Sequence, residues 1–148
     1  MSRLPEKFLR SLKTAIKGIV RVYKSELSFR IQFWFGVIVI TQTLYWPIGE
    51  IKQLILMLLV FLMLISEIIN TTFEKAFDEI EKRYHSRIGY LKDILAGSAL
   101  IMAIGSASIG LIIFWPYIID VILFSFIELI LIIILLYLVR EVKKIMKK

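Results

Sequence analysis

Residues 54–80 read LILMLLVFLMLISEIINTTFEKAFDEI. Thirteen uncharged, almost wholly apolar residues, 54–66, run without a break into Glu67. Asn70, Glu74 and Asp78 follow at three, seven and eleven residues from it. At about 100° per residue, the four fall on one helical face roughly 80° wide. A carboxylate where a lipid-embedded helix meets water is costly unless it is paired or metal-bound. Acids that merely solvate a cytoplasmic helix end would account for Glu79 and Glu81, but not for Glu67. The stretch predicts a membrane helix whose wet end carries a site.

The rest of the chain fits that setting. Of 148 residues, 59% are hydrophobic, and the mean hydropathy is +0.81. Residues 94–119 hold no charge, and 121–139 hold only Glu128. Runs of about 20 apolar residues read as transmembrane helices. One small domain is all the length suggests. With no cysteine, disulfides, thiol catalysis and cysteine-built zinc sites are excluded. The basic N-terminal region does not read as a secretory signal, because polar-rich sequence precedes the first apolar run and no small-residue cleavage site follows it.

The net charge is +7, and its distribution says more than its size. Eighteen of nineteen Lys and Arg residues lie in 3–30, 75–92 and 140–148, with Lys52 the exception. Basic segments stay on the cytoplasmic side, so these three should share it. Four spans satisfy that arrangement; three would leave the basic tail outside. The expected fold is all-α and integral to the bacterial cytoplasmic membrane, with both termini cytoplasmic. Its spans are 29–46, 51–70, 94–115 and 118–139, followed by a basic tail at 140–148.

Ahead of the spans, 6–24 form an amphipathic helix. Phe8, Leu9, Leu12, Ile16, Ile19, Val20 and Tyr23 share one face, and Lys7, Arg10, Lys13, Lys17, Arg21 and Lys24 take the other. Such a helix lies in a membrane surface or packs on the protein's own spans, and one helix can do both. Its apolar face is too bulky for nucleic-acid binding. In the third span, Ala99, Ala103 and Ala107, with Ser106 and Gly110, form a small-residue stripe that favours close helix packing.

The polar groups suggest phosphoryl transfer. Glu67 and Glu74, with Glu26 ahead of the first span, can supply a base and carboxylates for a hard divalent cation. Lys92 and Asp93 open the third span, and a lysine can act as a point charge on phosphate. Such chemistry is mainly positioning and charge neutralisation, so few residues suffice. There is no phosphate-loop, dinucleotide or zinc-protease motif, so a soluble-type kinase or zincin is excluded. His85, the sole histidine, reads on spacing alone as a loop residue.

The run Glu67-Ile68-Ile69-Asn70-Thr71-Thr72-Phe73-Glu74, with Asp78, Tyr84-His85 and Lys92-Asp93, resembles the signature of the prokaryotic diacylglycerol kinase family, which includes undecaprenol kinases. Glu26-Leu27-Ser28-Phe29-Arg30 is similar to that family's Glu-x-x-Phe-Arg. The resemblance covers about residues 8–115. It implies a homotrimer of three-span subunits with shared active sites, moving the γ-phosphate of ATP to a lipid alcohol with Mg2+. By position, it implies Glu67 as general base and Glu26 and Glu74 as metal ligands. Asn70 and Lys92 would contact phosphates, and Asp78, His85 and Asp93 would surround the nucleotide.

Several positions depart from the family pattern. Leu91 and Leu95 stand where smaller residues are usual. Gln32 stands where an acid is common, six residues after Glu26, and no catalytic role is expected there. The fourth span has no counterpart in short members, and its Glu128 would either pair across a subunit contact or face a polar crevice. Asp93-x-x-Ala96-Gly97 leans toward undecaprenol-type members. The rival reading is a four-span proton-coupled exporter using Glu67 or Glu128, which leaves Asn70, Glu74, Asp78 and Lys92-Asp93 without a task. A scaffold that has lost activity would not need the intact acid set.

Overall fold

The computed structural model describes residues 3–80 and 86–146, which form helices with no strand among them. The helices are α1 (Arg3–Ser25), α2 (Leu27–Tyr45), α3 (Glu50–Ile80), α4 (Ser86–Phe114) and α5 (Ile118–Ile145). A 3-10 turn, Trp115–Tyr117, joins the last two. Three helical stretches are long and apolar enough to cross a membrane: Leu27–Tyr45, Glu50–Ile80 and the nearly continuous Ser86–Ile145. The all-α membrane character expected from composition therefore holds.

α1 begins with Glu6 in its first turn and ends with Lys24 in its last, each matching the helix dipole. Its apolar face, from Phe8 to Val20, is exposed. Only the final turn is tied to its own chain. There the Tyr23 ring meets Phe33 edge-on at 5.5 Å, and Trp34 Nε1 donates to the Tyr23 hydroxyl at 3.0 Å. Of the two expected dockings, packing on the spans is thus limited to one end. A single extended residue, Glu26 (φ −105°, ψ 122°), separates α1 from α2 and redirects the chain.

α2 and α3 run antiparallel around a turn in which Gly49 takes a φ of 87°, a left-handed value that favours glycine. Their register shows in four cross-helix pairs. Gln53 donates to the Thr43 carbonyl at 2.7 Å, Gly36 faces Val60, Gln32 bonds Glu67, and Lys75 bonds Glu26. A Cβ on Gly36 would lie 2.7 Å from Val60 Cγ1. The missing side chain is what lets these helices approach closely in lipid.

α4 packs chiefly on α3. Ile113 and Phe114 at its end join Ile48 and Leu56 in the buried apolar cluster, and Trp46 stacks on Tyr117 at 5.4 Å. A straight helix of the 60 residues Ser86–Ile145 would be about 90 Å long, some three times a bilayer's hydrocarbon core. The turn at Pro116 prevents this by folding α5 back along α2. Phe124 lies 4.3 Å from the Tyr45 ring, and further along α5 Glu128 bonds Gln42, so the two helices run antiparallel. α5 buries no residue of its own. In lipid, close packing and interhelical hydrogen bonds hold helices together rather than apolar burial.

The small-residue stripe on α4 lies partly against α3 and partly along an open volume. Ala99 is buried, but Ala103, Ser106, Ala107 and Gly110 line an apolar cleft of about 740 Å³ enclosed by α2, α3, α4 and α5. Small side chains here leave room as much as they bring backbones together.

Candidate active site

The α3 stripe runs from dry to wet. Glu67 is only 7% exposed, Asn70 one turn on is half-buried, and Glu74 and Asp78 are exposed. Seven residues of helix separate Glu67 from Glu74 by about 10 Å along the axis. They also differ in surroundings, Glu67 lying buried in the apolar span and Glu74 exposed at the aqueous edge. The two carboxylates are therefore suited to different tasks.

Glu67 receives a hydrogen bond from Gln32 Nε2 on α2, 3.1 Å from its Oε2. This is its one hydrogen bond among the described residues. The other end of the amide, Gln32 Oε1, is shut off from solvent and has no partner. Gln32 also lines the cleft. The expectation of no catalytic role at this position followed from its lack of an acid. The signal available was an amide in an apolar span, costly to bury without a partner.

Glu26 was expected at the depth of Glu67 and Glu74, and the α2–α3 register assigns it to the Glu74 end. Lys75, the residue after Glu74, reaches Glu26 Oε1 at 2.7 Å. Ser25 Oγ donates to the same oxygen at 2.8 Å. The Lys75 hydrogen bond, followed by that of Ser25, lowers the Glu26 pKa below its ordinary 4.5, so the carboxylate is ionised at neutral pH. Its place between helices follows from the chain break: the one extended residue is also the acid.

Lys92 and Asp78 pair with each other across α3 and α4. Lys92 thus sits beside the stripe with its charge held by an exposed carboxylate, while Asp93 stands exposed on the next position of α4. His85 lies outside the described residues. No group of three His, Asp or Glu side chains capable of holding a metal forms among the described residues of the single chain. Magnesium does not demand one. It keeps several waters and uses one or two protein carboxylates with substrate phosphates.

A second polar cluster went unread in the sequence. Gln42 on α2 is 1% exposed, and its Nε2 donates to Ser125 Oγ at 3.1 Å and to Glu128 Oε2 at 3.0 Å. Its Oε1 accepts from Trp46 Nε1 at 2.8 Å. Glu128 therefore finds its partner within its own chain, because α5 folds back onto α2.

Comparison with known proteins gives a consistent set of matches. The family model described as prokaryotic diacylglycerol kinase matches residues 13–114. That match ends on the last residue of α4 and leaves α5 outside. A diacylglycerol kinase of Synechocystis sp. is 31% identical over 101 residues, covering 68% of this chain and 58% of that protein. The chain thus matches little more than half of that relative's length. An undecaprenol kinase of Bacillus subtilis is 29% identical over 110 residues, covering 74% of this chain and 89% of the relative.

Proposed function

The chain belongs to the prokaryotic diacylglycerol kinase family, and on that premise we propose that it transfers the γ-phosphate of ATP to the hydroxyl of a lipid alcohol. The observation that carries this reading is the polar stripe: a dry carboxylate, Glu67, two turns from a wet one, Glu74, with Glu26 delivered to the wet end. A lipid hydroxyl arrives from the apolar side and a nucleotide from the aqueous side. The stripe spans the boundary between them.

Glu67 accepts the hydrogen bond of the lipid hydroxyl and takes its proton as the new O–P bond forms. The bond from the γ-phosphorus to the β–γ bridging oxygen breaks, and ADP leaves with that electron pair. Glu26 and Glu74 would hold Mg2+, which when bound neutralises phosphate charge. Asn70 orients a phosphate oxygen through its amide. Lys92 exchanges the Asp78 carboxylate for phosphate, and Asp78, His85 and Asp93 flank the nucleotide. The protein acts as a homotrimer in the bacterial cytoplasmic membrane. Four spans, the fourth being α5, put both termini and the site in the cytoplasm, consistent with the three basic segments.

The test is transfer of label from γ-labelled ATP in mixed micelles, with diacylglycerol and undecaprenol offered separately. Labelled product from one acceptor identifies the substrate class, and Glu67→Gln should reduce that transfer about 10²- to 10⁴-fold. No labelled lipid from either acceptor would refute the kinase reading.

A further inference from the structure

Gln32 lies on the opposite helix from the signature residues, and its amide is the one hydrogen-bonding group on Glu67 among the described residues. We infer that Gln32 is a positioning residue for the transfer reaction, holding the Glu67 carboxylate in the orientation that meets the acceptor hydroxyl. The inference rests on the reading of Glu67 as the base.

Three observations carry it. The first is geometry: Nε2 stands 3.1 Å from Glu67 Oε2, so one carboxylate oxygen is held while the other has no hydrogen bond among the described residues. The second is the incomplete use of the amide. Gln32 Oε1 has neither solvent nor partner, a state that is unfavourable in an apolar setting. Its one bond goes to a carboxylate that is itself buried, so the amide is committed to Glu67 rather than to the rest of the bundle. The third is location. Gln32 itself lines the cleft among α2–α5, so the side chain that holds the carboxylate also borders a volume apolar enough for a hydrocarbon chain.

The amide acts on Glu67 differently from a charged side chain. An ionised acid at this position has no proton to donate, and it would set a like charge against Glu67. A lysine would form an ion pair, holding the base more tightly than a neutral donor. The amide orients the carboxylate without neutralising it. A base must be held in reach of its proton, and small misplacements of such groups lower rates steeply.

The experiment compares Gln32→Met, Gln32→Asn, Glu67→Gln and the Gln32→Met/Glu67→Gln double variant in the full chain, using the lipid acceptor that the wild type phosphorylates. Gln32→Met keeps the length and removes the donor; Gln32→Asn keeps the amide but withdraws it by one methylene. Both should lower kcat about 10- to 100-fold, the range for losing a hydrogen bond to a charged group. KM for ATP and for lipid should stay within about threefold, and the kcat loss should persist per folded protein, because removing the donor to a buried carboxylate also lowers stability. The double variant should be no slower than Glu67→Gln, because Gln32 acts through that carboxylate. Wild-type kcat in both single variants, a loss confined to KM, or a full additional loss in the double variant would overturn the inference. An inactive wild type, or a fully active Glu67→Gln, would instead remove the functional reading beneath it. If Gln32→Met does not fold, Gln32→Asn decides on the same criteria. A melting point that drops in both variants while kcat per folded protein is unchanged assigns Gln32 to structure alone.

Discussion

α2 carries two glutamines that make the same bond to different ends. Gln32 and Gln42 each donate an amide N–H to a glutamate on another helix, at 3.1 and 3.0 Å. Gln42 is fully buried and bonded through both ends of its amide, to Trp46, Ser125 and Glu128. Gln32 is half-buried and bonded at one end only, and both glutamines line the same apolar cleft. A saturated amide has no capacity left for a ligand and serves to hold α5 against α2. The Gln32 amide, bonded through Nε2 alone, acts on one group among the described residues, the Glu67 carboxylate. Local hydrogen-bond completeness, together with depth, separates the two glutamines where residue type does not.

Breaking the structural pair should show the larger effect on stability. Gln42→Leu strands Glu128 and Trp46 at once, and should destabilise the solubilised protein by about 2–4 kcal/mol. Since the chain has no native cysteine, a Tyr45→Cys/Phe124→Cys pair gives a clean readout. Its cross-linking yield should fall when Gln42 is replaced. Adding Glu128→Leu should recover most of that stability, because replacing both partners removes the orphaned charge. Retained cross-linking in Gln42→Leu would show that apolar contact alone docks α5.

A smaller effect is expected where α2 meets α3. Gly36→Ala puts a methyl group 2.7 Å from Val60 Cγ1, and overpacking of that kind costs about 1–3 kcal/mol. Val60→Ala in the same chain should relieve it. Since this contact sits between the two glutamines, Gly36→Ala should also lower kcat by disturbing the 32–67 register. The thermal midpoint and kcat measured together check both.

The smallest effect belongs to the wet end. Lys75→Met breaks the link to Glu26, whose Lys75 partner is more than half exposed, so stability should change by less than about 1 kcal/mol. Denaturation of the variant is the check, and a larger loss would mean that the pair fixes the α1–α2 break.

Much of this was legible in the residues. The 3.6-residue period of α1 and the long apolar runs of α2–α5 set helix type and approximate bounds, because propensity and hydropathy act locally. Glu67 stood out because a charge in an apolar run has few innocent explanations. The α2–α3 register was not legible. It depends on Gly36 meeting Val60, a tertiary contact with no local signature, and without it Glu26 could not be matched to Lys75 rather than to Glu67. Gln32 was passed over because a neutral amide carries no charge signal. Glu128 had no visible partner until the Trp115–Tyr117 turn brought α5 back to Gln42. The alanine stripe on α4 carried two meanings, close approach or open space, and the side chains opposite decide between them.

The central claim is the division of labour between the dry and the wet carboxylate, and titration of Mg2+ tests it most directly. In lipid phosphorylation assays, Glu74→Gln should require a higher Mg2+ concentration and regain part of its rate as the ion is raised. Glu67→Gln should stay inactive at every concentration. Recovery of both variants along the same Mg2+ curve, or of neither, would contradict the separation of base from metal site.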